Sequence, residues 1–211
     1  MKMKMKYLNL LVSAMAIGLF CVGACAFADD IEDEIKTGLD AYNAKQYKKA
    51  ISSLEFATQQ IRQLKAEKLV TLFPEPLSGW QAQEPKSAVA GAMFMGGVLS
   101  GSRIYTKDES SIEIDIAADN PMISVVSSIL SNPMMMSVAT GFNEGARVEK
   151  IKGEKAIVDW DSQKKSGSIQ MVVADKVLVA IKGNLCEKSD IQLYAEAINY
   201  EEIRSFLSGD N

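Results

Sequence analysis

The chain has 211 residues, enough for one domain with a small appendage, and its 47% apolar and 24% charged residues are typical of a globular protein. It contains no histidine, which removes the commonest general base, the commonest zinc ligand and every nucleophile that depends on a Ser-His or Cys-His pair. The formal net charge of −4 excludes the basic footprint of a nucleic-acid-binding protein.

Residues 1–28 have the pattern of a secretory signal peptide, with a basic start, an apolar run and Ala26-Phe27-Ala28 as an A-x-A cleavage site. Cleavage after Ala28 predicts an exported, periplasmic protein. The leader carries three lysines and no acid, so the mature chain would have 20 basic and 27 acidic residues and a net charge of −7. Two alternatives place the protein at a membrane: a lipobox that ends in a lipidated Cys25, or an uncleaved leader that acts as an anchor helix.

Cleavage would leave Cys186 as the only cysteine, which excludes an intramolecular disulfide even in an oxidising compartment. A reactive or intermolecular thiol is one interpretation. The sequence favours the other, a small buried apolar residue beside Leu185, because no histidine is present to activate the thiol.

The first mature segment is predicted to be a helical hairpin, Asp29–Asn43 followed by Tyr47–Lys68. Acidic residues crowd the first turns of the first helix, where they complement the helix dipole. Apolar residues recur at helical spacing along both helices: Ile31, Ile35, Leu39 and Tyr42 in the first, and Ile51, Leu54, Ala57, Ile61 and Leu64 in the second.

This hairpin resembles one tetratricopeptide repeat, a resemblance carried by Gly38, Ala41, Tyr47, Ala50, Leu54 and Ala57. The match covers about 34 residues, and the tryptophan and terminal proline positions of the repeat are not filled. The resemblance implies peptide or partner binding. A single repeat cannot form the concave groove of an array, so packing against the following domain or against another copy is the alternative.

Phe73–Trp80 is predicted to be a rigid, proline-rich connector that marks a domain boundary. The uncharged segment Ser87–Ser102 is too short to span a bilayer; it predicts either a small-residue strand in the core or an exposed apolar lip for a lipid or partner. The candidate apolar ligand or partner surface combines this region with the later methionine run: Trp80, Met93, Phe94, Met95, Met134, Met135 and Met136.

Ser110–Ala117 alternates isoleucine with polar residues and predicts a strand with one wet face, and Met122–Ser131 predicts a helix. Glu113 and Asp115, with Asp119, would suit only oxygen-preferring metals, and a solvated strand face is favoured over a metal site. Thioethers suit Cu(I), but the repeated Met-x-x-Met spacing with histidine is missing, so core packing is favoured for the methionines. No metal or cofactor is predicted.

Residues 145–184 predict four short strands joined by tight turns, and a closing helix follows. The strands are Arg147–Ile151, Lys155–Trp160, Ser168–Ala174 and Val177–Lys182. The helix, Lys188–Leu207, is expected to break near Asn199.

The predicted fold is therefore α+β: a signal peptide (1–28), a helical hairpin (29–72) and a two-layer domain (73–211) with an antiparallel β-meander covered by helices. The order of elements is similar to Mog1/PsbP-like periplasmic proteins. Leu77–Trp80, Asp119–Met122 and the methionine run also resemble an uncharacterised family of exported proteobacterial proteins. These resemblances imply a fold and a compartment but no particular activity.

The sequence predicts a non-enzymatic envelope protein that binds an unidentified envelope partner through the hairpin or the Gly/Met-rich surface. The alternative is a carrier of a small apolar or lipid ligand, seated between the sheet and the Met122–Met136 segment. A carboxylate-dependent enzyme and a Cu(I)-binding protein are less favoured. Nucleic acid is not an expected partner, and a membrane is expected only if Cys25 is lipidated or the leader is retained.

Overall fold

The computed structural model describes residues 23–90, 98–118, 120–132, 134–135 and 146–208. Most of the predicted leader therefore lies outside the described residues, as do four candidate surface residues, Met93, Phe94, Met95 and Met136. The chain divides into two compact units, one that ends at Ile61 and one that begins at Arg62.

The first unit is a helical hairpin made of α1, Gly23–Asn43, and the first part of α2, Tyr47–Leu69. Its turn is tight because Lys45 adopts a left-handed φ of 62°, and the Gln46 amide donates to the Ala41 carbonyl at 2.8 Å. Helix α2 is confirmed to within one residue. Helix α1 ends at Asn43 as predicted, and its backbone begins inside the predicted leader.

The second unit is built on an antiparallel sheet. Its strands are β1 Gln81–Ala82, β2 Lys86–Ala90, β3 Val98–Lys107, β4 Ser110–Ala118, β5 Ala146–Ile151, β6 Glu154–Asp161, β7 Ser166–Val173 and β8 Val177–Asn184. The strand order is β1-β3-β4-β8-β7-β6-β5, and β2 also pairs with β3. The last four strands form the predicted meander, and β8 joins it to β4. The α+β class is confirmed.

Among the described residues, the sheet of this unit is covered by the helices α3 Met122–Ser131, α4 Lys188–Ala197 and α5 Tyr200–Ser208. The main core lies on the face of α4 and α5 and also takes in the end of α2. Helix α3 packs on the opposite face through Ile123, Val126 and Leu130, so this face is covered in part. The break between α4 and α5 falls at Ile198-Asn199, as predicted.

Strand β4 shows why the alternating pattern specifies this sheet. Ile112, Ile114 and Ile116 are fully buried, whereas Glu113 and Asp115 point to the other face and bond to Lys182 of the adjacent β8. Lys182 Nζ lies 2.9 Å from an Asp115 oxygen, and this hydrogen bond raises the pKa of Lys182. The two carboxylates thus belong to a cross-strand ion-pair group, as a solvated strand face predicts.

Candidate functional site

The hairpin packs its two helices through small residues; Ile31 is also buried, at 8% exposure, but most of the other large apolar residues are exposed. Ala41, Ala50 and Ala57 are at most 5% exposed, and Gly38 and Ser53 are also buried. Of the large residues that the spacing aligned, Ile31 is buried and Leu64 belongs to the second unit. The others, together with Tyr47, lie on average about a quarter turn away from the contact at 100° per residue. We call them the apolar stripe: Ile35, Leu39, Tyr42, Tyr47, Ile51, Leu54 and Ile61, each 43 to 60% exposed.

The two halves of the apolar stripe meet on one side of the hairpin. The rings of Tyr42 and Tyr47 are in contact across the turn, with centroids 6.1 Å apart. Further from the turn, Leu54 lies directly over Gly38, because a Cβ atom added to that glycine would be 2.7 Å from Leu54 Cγ. The stripe is therefore one apolar surface shared by α1 and α2.

The opposite side of α2 offers a comparison. Phe56 is 53% exposed, close to the 57% of Tyr47, yet it lies about 180° around the helix from Tyr47. It stands alone there between Glu55 and the small Ala57. A single exposed aromatic residue is ordinary for a protein surface, whereas seven large apolar side chains exposed on one side form a candidate interaction surface.

Trp80, a candidate surface residue, is buried in the main core of the second unit. Its ring packs edge-on against Tyr194 at 5.5 Å, and Tyr194 in turn packs against Tyr105 at 4.4 Å. The Leu77 amide donates to Tyr194 Oη, and Tyr105 Oη donates to the Pro74 carbonyl at 2.7 Å. This aromatic cluster holds the proline-rich connector against the sheet, and burial raises the pKa of both tyrosines.

Two of the candidate methionines lie at the surface of the second unit. Met134 is 77% exposed and Met135 is 47% exposed, and the outer side of α3 adds Met122 and Val125. A carrier would need a lined cavity that reaches Met93 and Met134, and Met93 lies outside the described residues. One depression on the sheet, with a volume of about 160 Å³, is lined instead by polar and small residues that include Lys86, Ser102 and Asp115.

Cys186 is 3% exposed and lies between the sheet and the start of α4, which confirms the buried interpretation. A Cβ atom added to Gly183 of β8 would lie 2.6 Å from the Cys186 sulfur, so the thiol packs directly on the sheet. Burial, with a smaller contribution from Asp190, raises the pKa of the Cys186 thiol to about 11.

We therefore expect Cys186 to resist alkylation in the folded protein. At pH 8 a thiol with this pKa has a thiolate fraction roughly 200-fold below that of an ordinary cysteine. Iodoacetamide labelling, followed by mass spectrometry, should be at least about 100-fold slower before unfolding in guanidinium than after it. The control is Cys186→Ser combined with Ser162→Cys, which places a thiol in the exposed β6–β7 turn. Equal rates for Cys186 and the control in the folded state would contradict the buried interpretation.

In the part of the chain that the structure describes, no group of three or more His, Cys, Asp or Glu side chains is arranged to hold a metal ion. None of the described helices is both long and apolar enough to cross a membrane. No protein-family model, curated protein or solved structure matches this chain. The resemblances drawn from the sequence stay predictions, and the apolar stripe is the candidate interaction surface of the described residues.

Proposed function

We propose that this protein is a non-enzymatic exported envelope protein, a binding module whose helical hairpin takes up a helix of a protein partner. The observation that carries this proposal is the apolar stripe, seven large apolar side chains that remain 43 to 60% exposed on one side of the hairpin. Leaving such a surface in water is costly, at about 25 cal/mol per Å² of apolar area, so covering it provides the free energy for binding.

The geometry of the stripe suits a helix as its occupant. On α1, Ile35, Leu39 and Tyr42 follow the i, i+4, i+7 spacing, and Tyr47, Ile51 and Leu54 repeat this spacing on α2. Two such rows side by side offer ridges and grooves into which an amphipathic helix packs its own apolar row. The aromatic pair Tyr42 and Tyr47 supplies the kind of large anchor residue that dominates protein interfaces.

The charges around the stripe favour a protein over a lipid surface. Between Asp30 and Asn43, α1 carries five acidic side chains and one basic side chain. Cytoplasmic and bacterial membrane surfaces are anionic and attract basic segments, so an acidic helix beside the stripe opposes membrane docking. The absence of histidine from the whole chain and the buried, protonated Cys186 support a function other than catalysis.

The experiment that tests this proposal is site-specific photo-crosslinking in a bacterial host that expresses the protein with its own leader. Tyr47→p-benzoylphenylalanine places the photoreactive ring in the stripe, and Phe56→p-benzoylphenylalanine places it on the other side of α2 at nearly the same exposure. We expect irradiation to give a discrete adduct from position 47 only. No adduct from position 47, or the same adducts from both positions, would overturn the proposal.

A further inference from the structure

We infer that the helices that cover the apolar stripe belong to a second copy of this chain, so that two hairpins pair face to face. This inference rests on the proposed function, because it names the partner of the same surface. It follows from the size of the stripe and from the distribution of charge on the two helices that carry it.

The exposed area of the apolar stripe is large enough for a specific interface with a second copy of the same surface. A large side chain presents roughly 200 Å² when fully exposed, so seven residues at 43 to 60% exposure leave on the order of 700 Å² per copy. A stable interface of standard size buries about 800 Å² on each partner. Pairing two stripes therefore reaches the size of a specific interface, and the same patch serves both sides, as a two-fold symmetric contact requires.

Charge on the two helices selects how the hairpins face each other. Helix α1 carries five acidic side chains and one basic side chain from Asp30 to Asn43, whereas the part of α2 that belongs to the hairpin unit, residues 47–61, carries two basic and one acidic side chain. If α1 lay on α1 of the partner, two helices with a net charge of −4 each (one basic against five acidic side chains from Asp30 to Asn43) would be neighbours. If α1 lies on α2 of the partner, each acidic helix lies instead beside a helix segment with a net charge of +1 (two basic against one acidic side chain in residues 47–61), which lowers the repulsion.

This second arrangement also satisfies helix packing. A two-fold axis parallel to the helices places each α1 against the partner's α2, and because the hairpin is antiparallel, facing helices then run in opposite directions. Four helices in mutual antiparallel contact form an ordinary helical bundle with the stripe residues at its centre. The paired hairpins thus bury the large residues that each hairpin alone leaves exposed.

The test is sedimentation equilibrium of the protein purified after expression with its own leader, over about 1 to 100 µM. We expect a dimer with a Kd on the order of 1 µM, as standard-size interfaces give. Ile51→Asp, which puts a carboxylate at the centre of the stripe and opposite the acidic α1 of the partner, should raise the Kd at least about 100-fold.

Phe56→Asp is the matched control, since it places the same charge at a similarly exposed apolar position on the same helix. It should leave the Kd within about 3-fold of the unaltered protein, and circular dichroism should show equal helix content in both variants. A monomer at 100 µM, or equal Kd values for the two variants, overturns the inference. If the crosslinking experiment above still gives an adduct of another mass at position 47, the proposed function survives with a different partner; if it gives none, both fail.

Discussion

Replacing Tyr194 with alanine is expected to lower the free energy of unfolding by about 4 kcal/mol, the largest effect of any single substitution considered. Tyr194 is fully buried and contacts both Trp80 and Tyr105, so its loss opens a cavity between α4 and the sheet. It also removes the acceptor for the Leu77 amide and thereby releases the connector. Urea unfolding followed by tryptophan fluorescence measures the change.

Tyr194→Phe is the matched control for this substitution. It keeps the ring in its place and removes only the hydroxyl, so the expected loss is about 1 kcal/mol. Similar losses for Tyr194→Ala and Tyr194→Phe would contradict the packing role of the ring. A loss below about 1.5 kcal/mol for the alanine variant would show that the cluster does not anchor the connector.

Replacing Gly167 with alanine is expected to cost about 3 kcal/mol of stability, because no space exists for one added carbon. A Cβ atom at this position would lie 2.2 Å from the Asp159 carbonyl oxygen and 2.9 Å from Trp160 Cα, both in the adjacent strand β6. Backbone cannot rotate away as a side chain can, so β6 and β7 would have to separate. The midpoint of thermal unfolding should fall by several degrees.

The control for Gly167 is its neighbour on the same strand. Ser168 points to the opposite face of β7, and Ser168→Ala is expected to change stability by no more than about 0.5 kcal/mol. Equal effects of the two substitutions would contradict the close approach of the strands at Gly167. Gly167 also pairs with Gly183 of β8, and a Cβ atom added to either glycine would approach the Trp160 ring. The ring therefore lies over two residues that have no side chain.

The second unit could largely be predicted from the sequence, because its signals are local. The alternation of isoleucine with polar residues in Ser110–Ala117 correctly predicted which face of β4 is buried. The spacing of apolar residues predicted the observed bounds of helix α3. The strands of the meander run one or two residues longer than predicted at several ends, since cross-strand pairing continues into turn residues such as Ser166 and Asn184. A turn pattern in a single segment carries no information about this pairing.

The exposure of the stripe could not be predicted in the same way. Helical spacing places Ile35, Leu39 and Tyr42 on one face, but it does not say what covers that face. The informative signal was the row of small residues beside it, Gly38 and Ala41, because small residues allow two helix backbones to approach closely. The prediction that Trp80 belongs to a partner surface was wrong for a related reason. Trp80 is buried against Tyr194, which lies far along the chain, and no local sequence pattern reveals that contact.

Native mass spectrometry of the protein expressed with its own leader in a bacterial host would test whether the protein is exported without its leader and pairs with a second copy. One spectrum reports the start of the chain, any bound ligand and the number of copies. We expect subunits that begin at Asp29, carry no added mass and associate in pairs. A monomer that retains a small apolar ligand would contradict this expectation and would identify a carrier, and an acylated chain that begins at Cys25 would contradict the predicted export of a free protein.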